Sequence, residues 1–219
     1  MGQEELLSEA ELFGLFPPAV LTEIAGEARS RRIERGDVLF EQGDEPYELY
    51  VVESGRIAIA SRSDDGRESV LALMERGDLF GEMGLFDDGG RSAEARALER
   101  SDVIAVSYQS IRDHLAGEVD LLWGVIRLLV GRLRATDEAL ADAVFLDVTG
   151  RTAKWLLEMA GGSEEFTLPV TQEELAGMVG ASRERVNKAI SQFVRLGWLE
   201  QADRRYRILD RQQMEIRSR

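Results

Sequence analysis

Few side chains in this sequence could support catalysis or bind a metal. The chain contains no cysteine, which excludes disulfides, thiolate zinc sites, iron–sulfur clusters and a cysteine nucleophile. His114 is the only histidine, so a site built from several histidines is excluded as well. No nucleophile–base pair, phosphate-binding loop or metal-ligand set stands out. We therefore expect a protein that is not an enzyme, with no catalytic residue, no metal and no catalytic cofactor.

Basic side chains that could contact a polyanion form two groups near the C-terminal end. They are Arg183, Arg185 and Lys188 in one group, and Arg204, Arg205 and Arg207 in the other. The net charge of the whole chain is −14, which taken alone argues against nucleic-acid binding.

The distribution of charge changes that interpretation. Residues 147–219 hold 12 Lys and Arg against 11 Asp and Glu, a net charge of +1. The chain totals of 27 and 41 leave 15 basic and 30 acidic residues, a net charge of −15, for residues 1–146. This asymmetry is expected if only the C-terminal part approaches a polyanion. An ordinary solvated surface remains the alternative.

The first half of the chain predicts helices followed by a β-rich domain. Apolar residues among the first thirty predict short amphipathic helices interrupted at Pro17-Pro18. Short β-rich stretches follow at 37–40, 49–52, 56–60, 69–73 and 102–106. Glycine and aspartate separate them at the spacing of a sandwich or barrel, and Asp65-Gly66 is the best hairpin signal. We predict an antiparallel β-roll of the jelly-roll type.

A long helix is predicted next, because apolar residues recur in steps of three and four. The seam of a two-stranded coiled coil is predicted at Leu122, Val125, Leu129, Arg132, Thr136, Ala139 and Ala143. A second stripe, able to pack on the roll, is predicted at Leu121, Ile126, Leu128, Leu133 and Leu140. Two stripes on one helix favour a dimer, although a helix buried in its own domain remains the alternative.

The C-terminal part has the pattern of a winged helix-turn-helix. Thr171 and Glu174 form a capping box at the start of one helix, and Ser182 can cap the next. The predicted helices are 152–160, 171–179 and 183–196, and the predicted strands include 198–199 and 206–209. Helix, tight turn, helix and β-hairpin in this order are typical of DNA-binding domains. The fold class of the whole chain is predicted as α+β.

No targeting or membrane-spanning segment is predicted. The N-terminus is acidic, whereas a signal peptide carries basic residues before an apolar stretch. The most apolar stretch, 121–130, contains Arg127 and is too short to cross a bilayer. We therefore expect a soluble cytoplasmic protein with no membrane partner.

Three segments resemble motifs of the bacterial cyclic-AMP receptor protein and its FNR-type relatives, the CRP/FNR family. They are FGEMGLF at 80–86 followed by RSA at 91–93, FLDVTGR at 145–151, and TQEE at 171–174 followed by GASRE at 180–184. The resemblance implies a homodimeric transcription regulator that binds palindromic double-stranded DNA and works with RNA polymerase, with cyclic AMP as its allosteric ligand. It implies a cyclic-nucleotide-binding β-roll at 1–117, a dimerisation helix at 118–146 and a DNA-binding domain at 147–219.

The resemblance also implies the residues that bind cyclic AMP in the roll. Arg91 can neutralise the phosphate with a planar bidentate fork, and Ser92 can add its hydroxyl and backbone N–H. Gly81 lets the backbone approach the sugar–phosphate, Glu82 can accept a hydrogen bond from the ribose 2′-hydroxyl, and Met83 follows in the same motif. Read separately, these residues indicate only a turn and a charged surface.

On the long helix, three polar residues match family positions close to the ligand. Arg132 matches a helix arginine that the family places near Glu82. Thr136 and Asp137 match the polar pair that meets the adenine, where the family usually has Ser or Asn instead of Asp137. A carboxylate accepts hydrogen bonds only, so Asp137 should favour the amino group of adenine over the carbonyl of guanine. A solvated helix charge is the alternative for Asp137.

The expected DNA contacts lie at the start of the third helix of the C-terminal part. Arg183 can grip guanine, Glu184 can accept from cytosine, and Lys188 shares a face with Glu184, with Arg185 nearby. Thr171, Gln172 and Ser182 can donate to backbone phosphates. Arg204 on the wing can add salt-dependent affinity.

Two rival functions are weighed against this one. One is a cyclic-nucleotide-gated enzyme, for which nothing outside the roll supplies a nucleophile–base pair, a phosphate-binding loop or a metal set. The second is a constitutive or protein-controlled DNA binder whose roll holds no nucleotide. Other sensors of the superfamily lack their residues, because an iron–sulfur sensor needs cysteines and a haem sensor needs a histidine inside the roll. His114 lies after the roll, where a half-exposed helix position is expected.

Overall fold

The structure, a computed structural model, describes residues 2–62, 68–116 and 118–219. These residues form two compact units. The first extends to Leu133 without residues 68–70, and the second contains residues 68–70 and 134–219. The boundary between the units therefore falls inside the long helix. The functional domain limits expected at 117/118 and 146/147 stay predictions.

The first unit begins with helices and continues into a β-roll. The helices of the whole chain are α1 Gln3–Glu9, α2 Pro18–Glu27, α3 Met83–Asp87, α4 Tyr108–Leu115, α5 Val119–Phe145, α6 Val148–Ala160, α7 Gln172–Val179, α8 Arg183–Arg195 and α9 Arg211–Arg217. A short 3₁₀ turn, Phe13–Leu15, lies between α1 and α2. The predicted break at Pro17-Pro18 is confirmed, with Pro18 as the first residue of α2, where its missing N–H costs nothing.

Two four-stranded sheets form the roll. The strands of the chain are β1 Arg29–Ile33, β2 Val38–Phe40, β3 Glu48–Ser54, β4 Ile57–Arg62, β5 Glu68–Met74, β6 Leu79–Phe80, β7 Glu94–Ala97, β8 Ser101–Ser107, β9 Glu165–Thr167, β10 Leu199–Ala202 and β11 Arg205–Ile208. The sheet orders are β1-β8-β3-β6 and β2-β7-β4-β5, and the described pairings are antiparallel. The predicted α+β class and β-roll are confirmed. The predicted hairpin at Asp65-Gly66 lies outside the described residues.

One sheet of the roll is buried on both faces. On β3, Tyr50 and Val52 belong to the core between the two sheets, whereas Leu49 and Val51 belong to a second core. That second core contains apolar side chains of α1, α2, α4 and α5. Because side chains alternate along a strand, one continuous apolar stretch supplies both cores. The sheet is thereby held against the first part of α5.

The register of the apolar stripes on α5 differs from the predicted one. Val125 is buried in the core with Leu121 and Leu128, whereas Ile126 and Leu133 are exposed. Gly124 faces the same core, where a Cβ would lie 2.2 Å from Leu15 Cδ1. Both stripes are apolar and a step of three or four fits either, so periodicity alone could not separate them.

The exposed apolar residues of α5 form a continuous seam of their own. Among them, Leu122, Ile126, Leu129, Leu133 and Leu140, with the exposed Thr136, follow one another in alternating steps of four and three, and Val144 lies one turn further. The predictions that Val125 belongs to this seam and that Ile126, Leu133 and Leu140 pack on the roll are therefore wrong. Arg132 does not belong to it either, because its side chain binds the carbonyl oxygen of Leu79.

The second unit contains the predicted winged helix-turn-helix. Thr171 and Glu174 form the predicted capping box of α7, Gly180 ends α7 with φ +66°, and Ser182 caps α8. The third sheet has the order β10-β11-β9. Helix α6 begins at Val148 rather than at 152, because the side chain of Asp147 caps it by accepting from the Gly150 N–H. The short elements β9 and α9 had no clear signal in the sequence.

Candidate functional site

The residues expected to bind a nucleotide meet in the roll at the turn between β6 and α3. Gly81 and Glu82 follow β6, and Met83 begins α3. Arg91 and Ser92 come shortly before β7. Gly81 has φ +76°, and a Cβ at this position would lie 2.7 Å from Arg91 Nη1. Glycine is therefore required here both by the backbone conformation and by the close approach of the guanidinium.

Arg91 is held inside the roll by backbone carbonyl groups. Its Nη1 donates to Gly81 O at 2.7 Å and to Tyr108 Oη at 3.3 Å, and its Nη2 donates to Glu48 O at 2.8 Å. Its guanidinium carbon lies 4.0 Å from the centre of the Phe40 ring. Arg91 is only 7% exposed, and these contacts hold its buried side chain in one orientation.

One donor of Arg91 has no acceptor in the described part of the chain. The Nε–H is buried and makes no hydrogen bond there. In an arginine the Nε–H and one Nη–H form the edge that binds two oxygens of a phosphate or carboxylate. A buried donor without an acceptor is costly, so this atom indicates a ligand with an acceptor oxygen.

Glu82 is the second charged group of the site and is 1% exposed. Its Oε1 lies 2.9 Å from Nη1 of Arg132 on α5, and Arg132 Nη2 also donates to Leu79 O at 2.6 Å. The structure thus brings Arg132 to Glu82, as the family resemblance implied. The buried Oε2 of Glu82 makes no hydrogen bond within the described residues.

Burial governs the ionisation of Glu82. It raises the pKa of this carboxyl above its ordinary value, and the nearby Arg132 charge, a backbone hydrogen bond and Arg91 offset only part of that rise. An acceptor-only oxygen that lacks a donor can take a hydrogen bond from a ligand hydroxyl. The two unpartnered atoms, Arg91 Nε and Glu82 Oε2, therefore suit an anionic ligand that also carries a hydroxyl group.

The other expected ligand contacts are less buried. Ser92 Oγ lies 3.3 Å from Met83 Sδ, and both side chains are exposed. Thr136 and Asp137 are exposed on α5 in the second unit. Their roles stay predictions.

Several side chains around Arg91 were not predicted from the sequence. Phe40, Glu48, Tyr50 and Tyr108 come from β2, β3 and the start of α4. The rings of Tyr50 and Phe80 stack with their centres 5.4 Å apart, and burial raises the pKa of Tyr50 to about 12. Nothing in the local sequence pattern distinguishes these aromatic residues from other core residues.

In the second unit, the residues expected to contact DNA bases share one exposed surface. Arg183, Glu184, Arg185 and Lys188 are exposed, whereas Val186, Ala189, Ile190 and Phe193 of α8 are buried. The exposed first turns of α8 can thus enter a groove while its other face packs on the domain.

The expected phosphate contacts in this unit are partly engaged within the protein. Thr171 and Ser182 accept from the backbone N–H groups of Glu174 and Arg185. The amide of Gln172 donates to Tyr206 Oη at 3.0 Å, and Arg204 donates to Leu168 O at 3.1 Å. The hydroxyl groups of Thr171 and Ser182 keep their own protons and can still donate, whereas the amide nitrogen of Gln172 is directed to the wing. Phosphate contacts by all four residues stay predictions.

Neither a metal-binding cluster nor a membrane-spanning helix is found among the described residues. Within residues 2–62, 68–116 and 118–219 no cluster of three or more acidic, histidine or cysteine side chains could hold a metal ion. None of the helices in those ranges has the length and apolar composition needed to cross a bilayer. His114 lies on α4, half-buried, with Nε2 3.6 Å from a Glu23 carboxylate oxygen.

The buried Glu82 carboxyl makes a prediction about the pH dependence of stability. Its raised pKa means that ionisation costs more in the folded than in the unfolded protein, so its contribution falls as pH rises through the ordinary value towards the folded value. Replacing Glu82 with Gln removes this titration. We expect Glu82→Gln to become more stable relative to the unsubstituted protein between about pH 4 and 7. Urea denaturation measures this as an increase in its relative free energy of unfolding.

Asp102 gives the matched control with the opposite sign. The hydrogen bond from Arg32 lowers the pKa of Asp102, so Asp102→Asn should lose stability relative to the unsubstituted protein as pH rises towards the ordinary aspartate value of about 4, and change little above it. If the free energies of unfolding of Glu82→Gln and the unsubstituted protein changed in parallel with pH, the conclusion that burial disfavours ionisation of Glu82 would be contradicted.

Comparisons with known proteins match both parts of the chain. A family model described as the cyclic nucleotide-binding domain matches residues 30–118, and one described as the Crp-like helix-turn-helix domain matches residues 150–216. The CRP-like cAMP-activated global transcriptional regulator of Mycobacterium tuberculosis is 34% identical over 223 residues, which cover 99% of this chain and 100% of the relative.

Two solved structures extend the comparison. The c-di-GMP-responsive global regulator CLP of Xanthomonas campestris is 25% identical, with a TM-score of 0.75 over 88% of this chain and 99% of that chain. FixK2 of Bradyrhizobium japonicum shares the fold with a TM-score of 0.79 at 21% identity, over 88% of this chain and 98% of that chain. The family consists of transcription regulators rather than enzymes. With a roll that matches the cyclic nucleotide-binding domain and a helix-turn-helix in the second unit, the chain belongs to the CRP/FNR family of DNA-binding transcription regulators.

Proposed function

We propose that this regulator is a homodimer whose affinity for a palindromic DNA site is controlled by cyclic AMP bound in the roll against α5. The observation that carries the proposal is a pair of buried atoms, Arg91 Nε and Glu82 Oε2, that make no hydrogen bond within the described residues. Arg91 donates to the carbonyl oxygen of Gly81, and Glu82 is the next residue in the chain. A cyclic phosphate supplies acceptor oxygens for the first atom, and a ribose 2′-hydroxyl supplies a donor for the second. Ser92 and Met83 complete the expected ligand contacts.

Cyclic AMP is favoured over cyclic GMP by the expected base contacts. Asp137 carries an acceptor-only carboxylate, which suits the amino group of adenine, and Thr136 carries a hydroxyl group. The M. tuberculosis relative is described as cAMP-activated, whereas CLP responds to c-di-GMP. Cyclic GMP and c-di-GMP are therefore necessary competitors in any binding experiment.

The exposed seam of α5 supports the dimer. Leu122, Ile126, Leu129 and Leu133 place apolar side chains on one face at coiled-coil spacing. The opposite face of the same helix packs on the roll through Leu121, Val125 and Leu128, so a ligand that contacts Arg132 can influence the seam. Contact with RNA polymerase remains an expectation from the family.

Arg91 should be required for tight binding of the nucleotide. Hydrogen bonds to a charged group contribute about 1.5–3 kcal/mol each, so losing the fork of Arg91 should weaken cyclic AMP binding by about 100-fold or more. Isothermal titration calorimetry of Arg91→Ala and Arg91→Lys measures this effect. The lysine variant keeps the charge but lacks the planar fork, and it should also bind weakly.

Arg56→Ala provides the control for this experiment, because Arg56 pairs with Glu75 and Glu99 and makes no contact with the expected ligand residues in the contacts described above. Folding of each variant is verified by circular dichroism. Unchanged cyclic AMP affinity in both Arg91 variants would remove Arg91 from the binding site. Equal affinity of the unsubstituted protein for cyclic AMP and cyclic GMP would contradict the role of Asp137.

The second prediction concerns the dimer seam. Leu133 is 59% exposed in the single chain, and a carboxylate at this position would have to be buried without a partner in a dimer. We expect Leu133→Glu to have the mass of one chain, 24.5 kDa, by light scattering, while the unsubstituted protein has twice that mass. Leu209→Glu, an exposed position outside α5, should remain dimeric. A dimeric Leu133→Glu protein would place the dimer interface elsewhere.

The third prediction concerns base recognition by α8. Arg183→Ala should lower affinity for DNA sites selected by the unsubstituted protein from a random library by about 10- to 100-fold, since a bidentate arginine–guanine pair contributes about 1–3 kcal/mol of discrimination. It should also abolish the preference for guanine at one position. Arg195→Ala removes the same charge from the other end of α8, and it should leave the base preference intact.

Fluorescence anisotropy at fixed salt, with single-base variants of the selected site, measures both effects because the salt concentration strongly affects such affinities. A base preference that Arg183→Ala and the unsubstituted protein share would contradict this assignment of Arg183.

A further inference from the structure

The FLDVTGR motif at 145–151 spans the connection between α5 and α6. Helix α5 ends at Phe145 and α6 begins at Val148, so only two residues separate the helices. Asp147 accepts a hydrogen bond from Gly150 N at 2.8 Å and pairs through its carboxylate with Arg217 of α9. The residue that starts α6 is therefore bound to the last helix of the chain.

Gly150 permits this arrangement. A Cβ at position 150 would lie 3.0 Å from Arg217 O and 3.1 Å from Arg217 Nη1. These distances are shorter than ordinary contacts, so a larger residue would push Arg217 away from the junction. The glycine of the motif thus has a packing role rather than a conformational one.

A second ion-pair cluster joins α6 to α5 further along α6. Lys154 of α6 binds Glu138 Oε1 at 2.8 Å and also pairs with Asp142. Glu138 and Asp142 are four residues apart and lie on one face of α5. Burial lowers the pKa of Lys154, but the hydrogen bonds to Asp142 and Glu138 more than compensate, and the net pKa is raised. Lys154 thus remains charged across the physiological range.

Arg151 connects the same junction to the helix-turn-helix. Its Nη1 donates to Leu146 O at the end of α5 at 2.6 Å, and its Nε donates to Val179 O at the end of α7 at 2.8 Å. All of these groups belong to the second compact unit, which includes the part of α5 from residue 134 onward.

We propose that Lys154 and Arg217 are positioning residues for DNA recognition, which fasten residues 134–145 of α5 to the winged helix so that this part of α5 and α8 move as one body. We name the two ion-pair clusters, Lys154 with Glu138 and Asp142, and Arg217 with Asp147, the junction clamp. With the clamp closed, a change in the register of α5 is transmitted to α8 without a bend at Asp147. The DNA readout of this proposal rests on the proposed function.

The physical basis is the number of independent constraints at one short connection. Two residues between helices would allow many interhelical angles, because each residue contributes two soft dihedral angles. One half-buried ion pair, Lys154–Asp142, the more exposed Arg217–Asp147 pair and the two carbonyl contacts of Arg151 together restrict this angle. Exposed pairs contribute little, but Lys154 is only 23% exposed and Asp142 only 25%, so their geometry is better defined.

The experiment uses full-length variants. Lys154→Met, Arg217→Met and their combination remove the clamp, while Lys154→Arg retains its charge. Arg211→Met is the matched control, because Arg211 lies on α9 as well but donates to Ser163 O, away from the junction. Three quantities are measured for each: hydrogen exchange of the amides of residues 146–152, cyclic AMP affinity by calorimetry, and DNA affinity by anisotropy with and without cyclic AMP.

We expect exchange at residues 146–152 to accelerate by about tenfold or more in the double variant, because the junction opens locally more often. DNA affinity at saturating cyclic AMP should fall by about tenfold, while cyclic AMP affinity stays within about twofold of the unsubstituted protein. Lys154→Arg should behave as the unsubstituted protein, and Arg211→Met should leave exchange at the junction unchanged.

Unchanged exchange in the double variant, or a loss of DNA affinity no larger than that of Arg211→Met, would overturn the junction clamp. Failure of the unsubstituted protein to bind cyclic AMP would instead overturn the proposed function. The exchange data and the DNA affinities measured without nucleotide would still show whether the junction clamp fastens α5 to the winged helix.

Discussion

The buried carboxylate of Glu82 is the constraint on which the arrangement of the first unit depends. A carboxylate that is 1% exposed carries a desolvation cost that only a close partner can offset. That partner is Arg132, fifty residues later in the chain and on a different element. Because Arg132 also binds Leu79 O, the helix is attached to the strand that leads into the pocket. The chemistry of the pocket and the position of α5 are therefore linked by one side chain.

The pocket has two charged groups of opposite sign, separated by a glycine. Arg91 donates from both Nη atoms to the carbonyl oxygens of Gly81 and Glu48, and only its Nε has no acceptor within the described residues. Glu82 pairs with Arg132. A phosphate beside Arg91 adds a negative charge close to Glu82, and a hydroxyl donor beside Glu82 offsets part of that effect. The ligand favours one position of α5 only to the extent that it binds more tightly in that position.

Features determined by local hydrogen bonds were predictable from the sequence, and features determined by distant packing were not. The capping box at Thr171 and Glu174 and the cap at Ser182 depend on residues within one turn, and the structure contains both. Leu121 and Leu128 pack on the roll as predicted, but Val125 and Ile126 were exchanged between the two stripes, because they are equally apolar and only the roll decides which is buried. The aromatic surroundings of Arg91 come from strands far apart in the chain, so no spacing could reveal them.

The long helix performs its two tasks with different faces and different parts of its length. Leu121, Val125 and Leu128 pack on the roll, and the seam through Leu129 and Leu133 is directed outward. Beyond residue 134 the helix belongs to the compact unit that contains the winged helix. Polar Thr136 lies in the seam near this change of unit, where a larger apolar residue would hold a partner helix more tightly. In the proposed dimer, Thr136 therefore makes the seam weaker at this point than an apolar residue would.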